Sequence, residues 1–279
     1  MPKLHLVFLF ALAYCILAVS CSTKDRALHA PRTLMKERRA FKAKLEQNLA
    51  HASKKAVDSI AWEGVFWRTY MFSQKGDAVT TLLKKARDHY HTLDAADRYL
   101  FWLAIKQHPQ LIDPDQVKQF LESETDPKLI VAAAQRMLNE KEYLKAKIKS
   151  RQENGHLIML KEQLKVNVAP ISADELFKIV GNKAFKGKKH IISIHPTDKQ
   201  QPGITMVIDA NGHVVSDKNG KPLLFKQLAR SATNFPFYMT YGNTPEGIYS
   251  ISGITQSDNV FIGPSPVIQT YLPYEVSPA

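Results

Sequence analysis

The hydrophobic positions of residues 33–150 recur every three to four residues, which is the spacing of one face of an α-helix. Phe41, Leu45 and Leu49 form such a stripe in an otherwise charged segment. A second amphipathic helix is predicted from five apolar positions, Val79, Leu82, Leu83, Ala86 and Tyr90. We expect Asp77 to cap this helix, because its carboxylate can accept a hydrogen bond from the free amides of the first turn.

Three further helices are predicted from their starts. One runs from Asp94 to Gln107, and two shorter ones open with the dipeptides Asp113-Pro114 and Asp126-Pro127. Asp suits the capping position, and Pro suits the first helical position because its φ is fixed and it has no amide hydrogen to leave unpaired. A basic helical connector is expected over 141–152. This helical half is interpreted as a scaffold or docking surface.

The segment 60–72 is dense in aromatic residues and allows two interpretations. Exposed Trp62, Trp67 and Tyr70 would make a stacking platform for a glycan. However, Phe66 lies four residues from both Trp62 and Tyr70, which is the spacing of a packing ridge on a helix. The spacing therefore favours core packing.

After residue 153 the apolar positions alternate over short runs separated by turn sequences, which is typical of strands. Strands are predicted at 190–194, 204–208, 213–215, 237–241, 248–251 and 260–262. The sequences Asp-Ala-Asn-Gly at 209–212 and Asp-Lys-Asn-Gly at 217–220 supply residues that tolerate a positive φ. A short helix is predicted at 225–232. The expected fold class is therefore α+β, with a helical domain followed by a β-rich domain.

The N-terminus has the pattern of an export signal. Lys3 and His5 precede an uncharged apolar run at 6–19, which is too short for a membrane span of roughly 20 residues. The run ends in Ala18-Val19-Ser20-Cys21, which resembles the lipobox of bacterial lipoproteins although Ala18 stands where that family usually has Leu. The resemblance implies a diacylated Cys21 and, because Ser22 is not Asp, an anchor on the periplasmic face of the outer membrane. Ordinary signal-peptidase cleavage remains the alternative.

Cys15 and Cys21 are the only cysteines, and both belong to the signal region. Residues 22–279 therefore hold no disulfide, no cysteine zinc site and no cysteine nucleophile. Histidine spacing does not favour a metal either, because His89 and His91 are two apart whereas ligand pairs on a helix are three or four apart. Ser231 has no neighbouring base in the sequence and lies outside any Gly-x-Ser-x-Gly elbow. No metal, no cofactor and no catalytic residue is predicted.

The net charge of +12 allows two interpretations, an anionic partner or a contribution to solubility alone. Export makes nucleic acid an unsuitable partner, which leaves anionic phospholipid and the carboxylates of peptidoglycan. Part of the charge lies on the polar face of the first helix, Lys36, Arg38, Arg39, Lys42, Lys44, Lys54 and Lys55 against Glu37 and Glu46. Two interpretations of this face remain open: a solvated helix surface, or a helix lying along an anionic membrane.

The most informative segment is 238–251, Tyr-Met-Thr-Tyr-Gly-Asn-Thr-Pro-Glu-Gly-Ile-Tyr-Ser-Ile. It resembles the Thr-Pro-x-Gly hairpin of peptidoglycan L,D-transpeptidases, and the upstream hairpin at 204–215 resembles the one that precedes it in that family. The resemblance implies that Thr244, Pro245, Gly247 and Tyr249 line a groove for peptidoglycan stem peptides. It implies acyl transfer between those peptides, without metal or organic cofactor.

The chain departs from that family where catalysis is concerned, because no His-Gly-Cys segment follows the turn. The expected organisation is therefore a signal peptide and lipobox at 1–21, a helical domain at 22–152 and an incomplete transpeptidase-like domain at 153–279. Two functional expectations follow. One is an envelope lipoprotein related to L,D-transpeptidases, truncated and without its catalytic segment. The alternative is a non-enzymatic lipoprotein that binds peptidoglycan, membrane or a protein partner.

Overall fold

The computed structural model describes residues 32–165, 171–183, 186–196, 198–256 and 266–271. The mixed α+β class is confirmed, because the described residues form helices through the first half of the chain and small antiparallel sheets in the second. The chain divides into two compact units, one of Leu49–Pro245 and one that combines Met1–Asn48 with Glu246–Ala279. The predicted signal peptide and the predicted strand at 260–262 lie outside the described residues.

Nine α-helices lie within the described ranges. They are α1 (Arg32–Ser53), α2 (Trp62–Met71), α3 (Asp77–Asp88), α4 (Ala95–Ile105), α5 (Pro114–Ser123), α6 (Pro127–Ala134), α7 (Lys141–Lys149), α8 (Gly155–Lys165) and α9 (Ala173–Val180). The last two begin after residue 153, where strands and a short helix at 225–232 were predicted, so neither helix was expected. In α8 the missed signal is the helical spacing of Leu157, Leu160 and Leu164, all of which are buried.

Side-chain caps fix three of the helix starts, and those at Asp113 and Asp126 were predicted. Asp94 accepts a hydrogen bond from the amide of Asp97, and Asp126 accepts from the amides of Lys128 and Leu129. Asp113 forms a capping box with Gln116, in which each side chain bonds the other residue's backbone amide. These bonds satisfy amides that have no partner within the helix.

The predicted cap of α3 is wrong. The capping position is Gly76, with a φ of 108°, and Asp77 is the first helical residue. Glycine occupies this position because a positive φ strains other residues. Asp77 still places a negative charge at the positive end of the helix dipole.

The core of the larger unit is aromatic, and it confirms the packing interpretation of 60–72. Trp62 is 6% exposed and Tyr70 is fully buried, so neither can stack on a glycan. Trp62 stacks on Phe66 with 5.4 Å between ring centroids. Trp102 donates its indole hydrogen to the hydroxyl of Tyr90 at 2.8 Å, which satisfies a buried donor.

A buried carboxylate fastens α4, α5 and α6 together. Glu124 is 5% exposed and accepts a hydrogen bond from Arg98 at 2.7 Å. Its other carboxylate oxygen accepts from the backbone amides of Thr125 and Asp126 at 2.9 and 3.0 Å. Arg151 then donates to the backbone carbonyl of Glu124 at 2.6 Å. A buried charge with this many partners stabilises only while the set is complete.

Strands β1 (His190–Ile194), β2 (Gly203–Ile208) and β3 (Leu224–Gln227) form a three-stranded antiparallel sheet in that order. Between β2 and β3 the chain makes two turns of the same geometry. In each turn one aspartate carboxylate oxygen accepts two backbone amides, at Asp209 from Asn211 and His213, and at Asp217 from Asn219 and Lys221.

Three of the predictions for the β-rich half are wrong in detail. Residues 225–232 are not a helix, because Leu224–Gln227 pairs with β2. Residues 237–241 are not a strand but two successive turns, in which the amide of Met239 bonds the carbonyl of Pro236 and the amide of Gly242 bonds that of Met239. Residues 213–215 contribute a single bridge, from Val214 to Ile208.

In the smaller unit, strands β4 (Ser250–Gln256) and β5 (Pro266–Tyr271) pair as an antiparallel hairpin with an irregularity between Ile251 and Gly253. The predicted strand at 248–251 therefore begins two residues later than expected. Helix α1 starts in this unit and ends in the larger one. In its apolar stripe Leu45 and Leu49 are buried, whereas Phe41 is 37% exposed.

Candidate functional site

Residues 231–245, called the junction segment here, precede and include the first half of the Thr-Pro-Glu-Gly turn. Three side chains of α4 and the residues directly after it hold this segment by its backbone carbonyls. Tyr99 donates to the carbonyl of Thr240 at 2.6 Å, and Gln107 donates to that of Ala232 at 2.8 Å. Lys106 donates to the carbonyl of Asn234. The segment is thus attached at three points spread over nine residues of its length.

Asn243 closes the junction segment on itself. Its amide donates to the carbonyl of Phe235 at 2.8 Å, and its side-chain oxygen accepts from the amide of Ser231 at 2.7 Å. Thr233 donates to the carbonyl of Tyr241 at 2.7 Å. These bonds hold Tyr241 at a φ of 61°, a conformation that non-glycine residues adopt rarely and that persists only where the surroundings enforce it.

Gly242 allows a close approach of the backbone within the same segment. A Cβ at this position would lie 2.0 Å from the carbonyl oxygen of Pro236 and 2.7 Å from that of Met239. Both neighbours are backbone atoms, so they cannot rotate away as a side chain would. The two turns at 236–242 therefore require glycine here.

A fourth attachment joins the segment to α8. Tyr238 donates to the side-chain oxygen of Gln163 at 2.5 Å, and Gln163 exchanges hydrogen bonds with Gln135. Burial raises the pKa of Tyr238 well above its usual range, and the hydrogen bond to Gln135 opposes that rise. The phenol therefore stays protonated near neutral pH and acts as a hydrogen-bond donor.

Lys106 is the most perturbed basic group of the site. Burial, with a smaller contribution from the charge of Arg136, lowers its pKa to about 8. Its ammonium group lies 4.6 Å from the centre of the Phe235 ring, where the electron-rich face of the ring stabilises a cation. Perturbed groups of this kind occur at functional sites and also in structural networks. Because Lys106 donates a hydrogen bond to the carbonyl of Asn234, we assign it a structural role in holding the junction segment.

Tyr70 lies beneath the same segment, with its ring centroid 6.0 Å from that of Tyr241. Its hydroxyl is buried and has no hydrogen-bond partner in the described part of the chain. Burial raises the pKa of this phenol well above its usual range, and the charges of Tyr241 and Glu63 raise it further. Tyr70 therefore cannot supply a phenolate near neutral pH.

The four predicted groove residues lie in a loop between Gly242 and β4. Thr244 and Gly247 are exposed, whereas Pro245 and Tyr249 are half-buried. The boundary between the two compact units falls within this loop, after Pro245. The four residues are close along the chain, with Thr244 and Pro245 in the larger unit and Gly247 and Tyr249 in the smaller one. Gly247 has a φ of 154°, which glycine adopts more readily than other residues.

Sequence reasoning missed the side chains that position this loop. Lys106 and Gln107 directly follow an apolar helix, and a cation at that place is an expected signal for the helix C-terminus. Nothing in the sequence says that these residues bind a segment more than 120 positions further along the chain. The contact of Tyr99 was likewise not predictable, because Tyr99 lies within the apolar sequence of α4.

Other groups with catalytic potential have structural surroundings. The hydroxyl of Ser231 contacts that of Thr233 at 3.0 Å and accepts from the amide of Asn234 at 3.1 Å, and neither group is a base. Within the described ranges, no three His, Cys, Asp or Glu side chains gather in an arrangement suited to a metal. The helices of those ranges also include none with both the length and the apolar character of a membrane span.

No protein-family model, no curated protein and no solved structure matches this chain. The resemblance to L,D-transpeptidases therefore stays a prediction from the residues quoted above.

Proposed function

We propose that this chain is an exported cell-envelope lipoprotein, related to the L,D-transpeptidases, that binds peptidoglycan. Cys21 carries the lipid anchor, on the periplasmic face of the outer membrane. The Thr-Pro-Glu-Gly loop contacts the stem peptides. The proposal concerns binding, because acyl transfer in that family needs a thiolate and residues 22–279 contain no cysteine.

The observation that carries the proposal is the attachment of the junction segment, which leads directly into Thr244 and Pro245. Tyr99, Lys106 and Gln107 bond its backbone carbonyls, and its own Tyr238 bonds Gln163 of α8. Binding loops work best on a rigid scaffold, because a loop that is already ordered loses less entropy when a ligand binds. An exposed loop with so many attachments at its base fits a recognition element better than a passive connection.

The charge of the chain supports the choice of ligand. Peptidoglycan stem peptides carry carboxylates, and a net charge of +12 favours their approach at low ionic strength. The hydroxyl of Ser231 in the junction segment contacts no base, and burial keeps the phenol of the underlying Tyr70 protonated, so neither is an activated nucleophile. This surface suits binding without covalent chemistry.

The loop is tested by replacing Thr244 with alanine in the mature chain and measuring its affinity for soluble stem peptides by calorimetry. Loss of a hydrogen bond to the ligand should weaken binding by about three- to tenfold. The matched control is Thr81→Ala, since Thr81 is an exposed threonine on α3. Equal affinities of the two variants would contradict the assignment of the loop.

The lipid anchor can be tested separately. Cys21 is the proposed acylation site, and Cys15 provides a matched control. In cells fed a labelled fatty acid, the wild-type chain and Cys15→Ser should both incorporate the label, whereas Cys21→Ser should not. Label retained by Cys21→Ser would refute the lipoprotein assignment and leave the peptide-binding test unaffected.

A further inference from the structure

The solvent-facing side of α1 carries cations that are not neutralised within the described part of the chain. Lys36, Arg39 and Lys44 are exposed, and no described carboxylate lies within ion-pair distance of them. On a helix with about 100° between successive residues, Arg39 and Lys44 flank Lys36, and Leu45 points the opposite way. Leu45 is 4% exposed, so the apolar side of the helix is already occupied. We call the three cations the basic face of α1.

Four lysines of α7 and α8 behave differently. Lys145, Lys147, Lys161 and Lys165 on α7 and α8 each pair with a glutamate, so their charge is largely compensated locally. Ala40, Ala43 and Gln47 lie between the cations of the basic face and are exposed, uncharged and short or flexible. The exposed Glu46 lies at the edge of this face, about 20° around the helix from Arg39, so a flat anionic surface meets no described carboxylate between the three cations.

We propose that the basic face of α1 lies on the anionic phospholipid surface of the membrane that holds the anchor. This inference depends on the proposed export and lipidation. Between the acylated Cys21 and Arg32 there are ten residues, which can extend to at most about 35 Å. The helix therefore stays near the bilayer, where the surface potential attracts each Lys or Arg within about one Debye length. We choose lipid over peptidoglycan as the ligand of the basic face of α1, because the anchor keeps this helix near the bilayer and does not keep it near peptidoglycan.

The test uses the mature chain, residues 22–279, without its acyl group, so that the anchor contributes nothing. Binding is measured by sedimentation with vesicles of phosphatidylcholine and phosphatidylglycerol, and with vesicles of phosphatidylcholine alone. The variant Lys36→Glu, Arg39→Glu, Lys44→Glu reverses the basic face. The matched control, Lys183→Glu, Lys186→Glu, Lys188→Glu, reverses three exposed lysines in the loop before β1 and changes the net charge by the same amount.

The wild-type chain and the control should bind the anionic vesicles and not the neutral ones, and the α1 variant should bind about tenfold more weakly or worse. Binding should also fall in about 0.5 M salt, where the Debye length is about 4 Å. Equal losses in both triple variants would overturn the proposal, because net charge alone would then be responsible. So would an α1 variant that keeps its vesicle binding, or one that loses binding to purified sacculi instead. Circular dichroism of each variant checks that the helices are retained.

Because the assay contains neither acyl group nor peptidoglycan, its outcome is independent of the tests above. If the Cys21→Ser variant still carried label, the assignment of the anchor to Cys21 would fail, and the vesicle result would not be affected. Conversely, a failed vesicle test would leave anchoring and peptide binding intact.

Discussion

Replacing Lys106 with methionine should flatten the dependence of folding stability on alkaline pH. Lys106 is buried, and its pKa falls from 10.5 to about 8 on folding. Between these two values the unfolded chain binds more protons at this residue than the folded chain does. The free energy of unfolding must therefore rise with pH across that window. Below pH 8 the charge of Lys106 lowers the free energy of unfolding by its full amount, and above pH 10.5 this effect disappears.

The magnitude follows from the size of the shift. A change of one pKa unit corresponds to about 1.4 kcal/mol, so the burden at neutral pH is about 3 kcal/mol. Between pH 7 and pH 9 Lys106 should raise the free energy of unfolding by about 1 kcal/mol. Methionine fills a similar volume and carries no charge, but it leaves the carbonyl of Asn234 without its donor, which costs about 1 to 3 kcal/mol. The variant should therefore be about 0 to 2 kcal/mol more stable than the wild type at pH 7, and this difference should fall by about 1 kcal/mol between pH 7 and pH 9.

Urea unfolding followed by circular dichroism at pH 7, 8 and 9 measures this difference. The control is Lys128→Met, because Lys128 also lies over an aromatic ring, 4.2 Å from the centre of Tyr99, and is half-buried like Lys106. The control should keep the wild-type rise. If the wild type and Lys106→Met show the same slope between pH 7 and pH 9, the assigned burial of Lys106 is wrong.

Two further predictions concern the scaffold that supports the loop. Glu124→Gln should lower the free energy of unfolding by about 3 to 5 kcal/mol, because it leaves the charge of Arg98 without its partner. The control is Glu122→Gln, which should cost much less because the carboxylate of Glu122 pairs with Lys147 at the surface. Similar losses in the two variants would contradict the network. Gly242→Ala should cost about 1 to 3 kcal/mol because its Cβ meets backbone oxygens. Gly155→Ala, with open space around the added carbon, should be nearly neutral in the same urea unfolding experiments.

The helical half was predictable because local signals and tertiary packing agree there. The helices that start with Asp-Pro at residues 113 and 126 have the side-chain caps that were predicted from the sequence. Spacing alone assigned Trp62 and Tyr70 to the core. At Gly76 the local rule failed, because a backbone with a positive φ took the capping position from the neighbouring aspartate.

Non-local pairing limited the prediction of the second half. Residues 225–227 have no strong local preference, and their strand exists because β2 supplies hydrogen bonds from 20 or more positions earlier. The apolar run at 237–241 looked like a strand, but Met239 and Phe235 are buried against the helical core, which bends the chain into turns. The groove residues could be named from the motif. Their attachment through Lys106 could not, because such contacts leave no mark in the local sequence.

The most direct test of the central claim is to sediment the mature chain with purified peptidoglycan sacculi and measure the bound fraction. The account predicts saturable binding that soluble stem peptides displace, that persists in the α1 triple variant, and that Thr244→Ala weakens while Thr81→Ala does not. Absence of sedimentation, or binding that stem peptides fail to displace, would contradict the proposal that this chain binds peptidoglycan through its Thr-Pro-Glu-Gly loop.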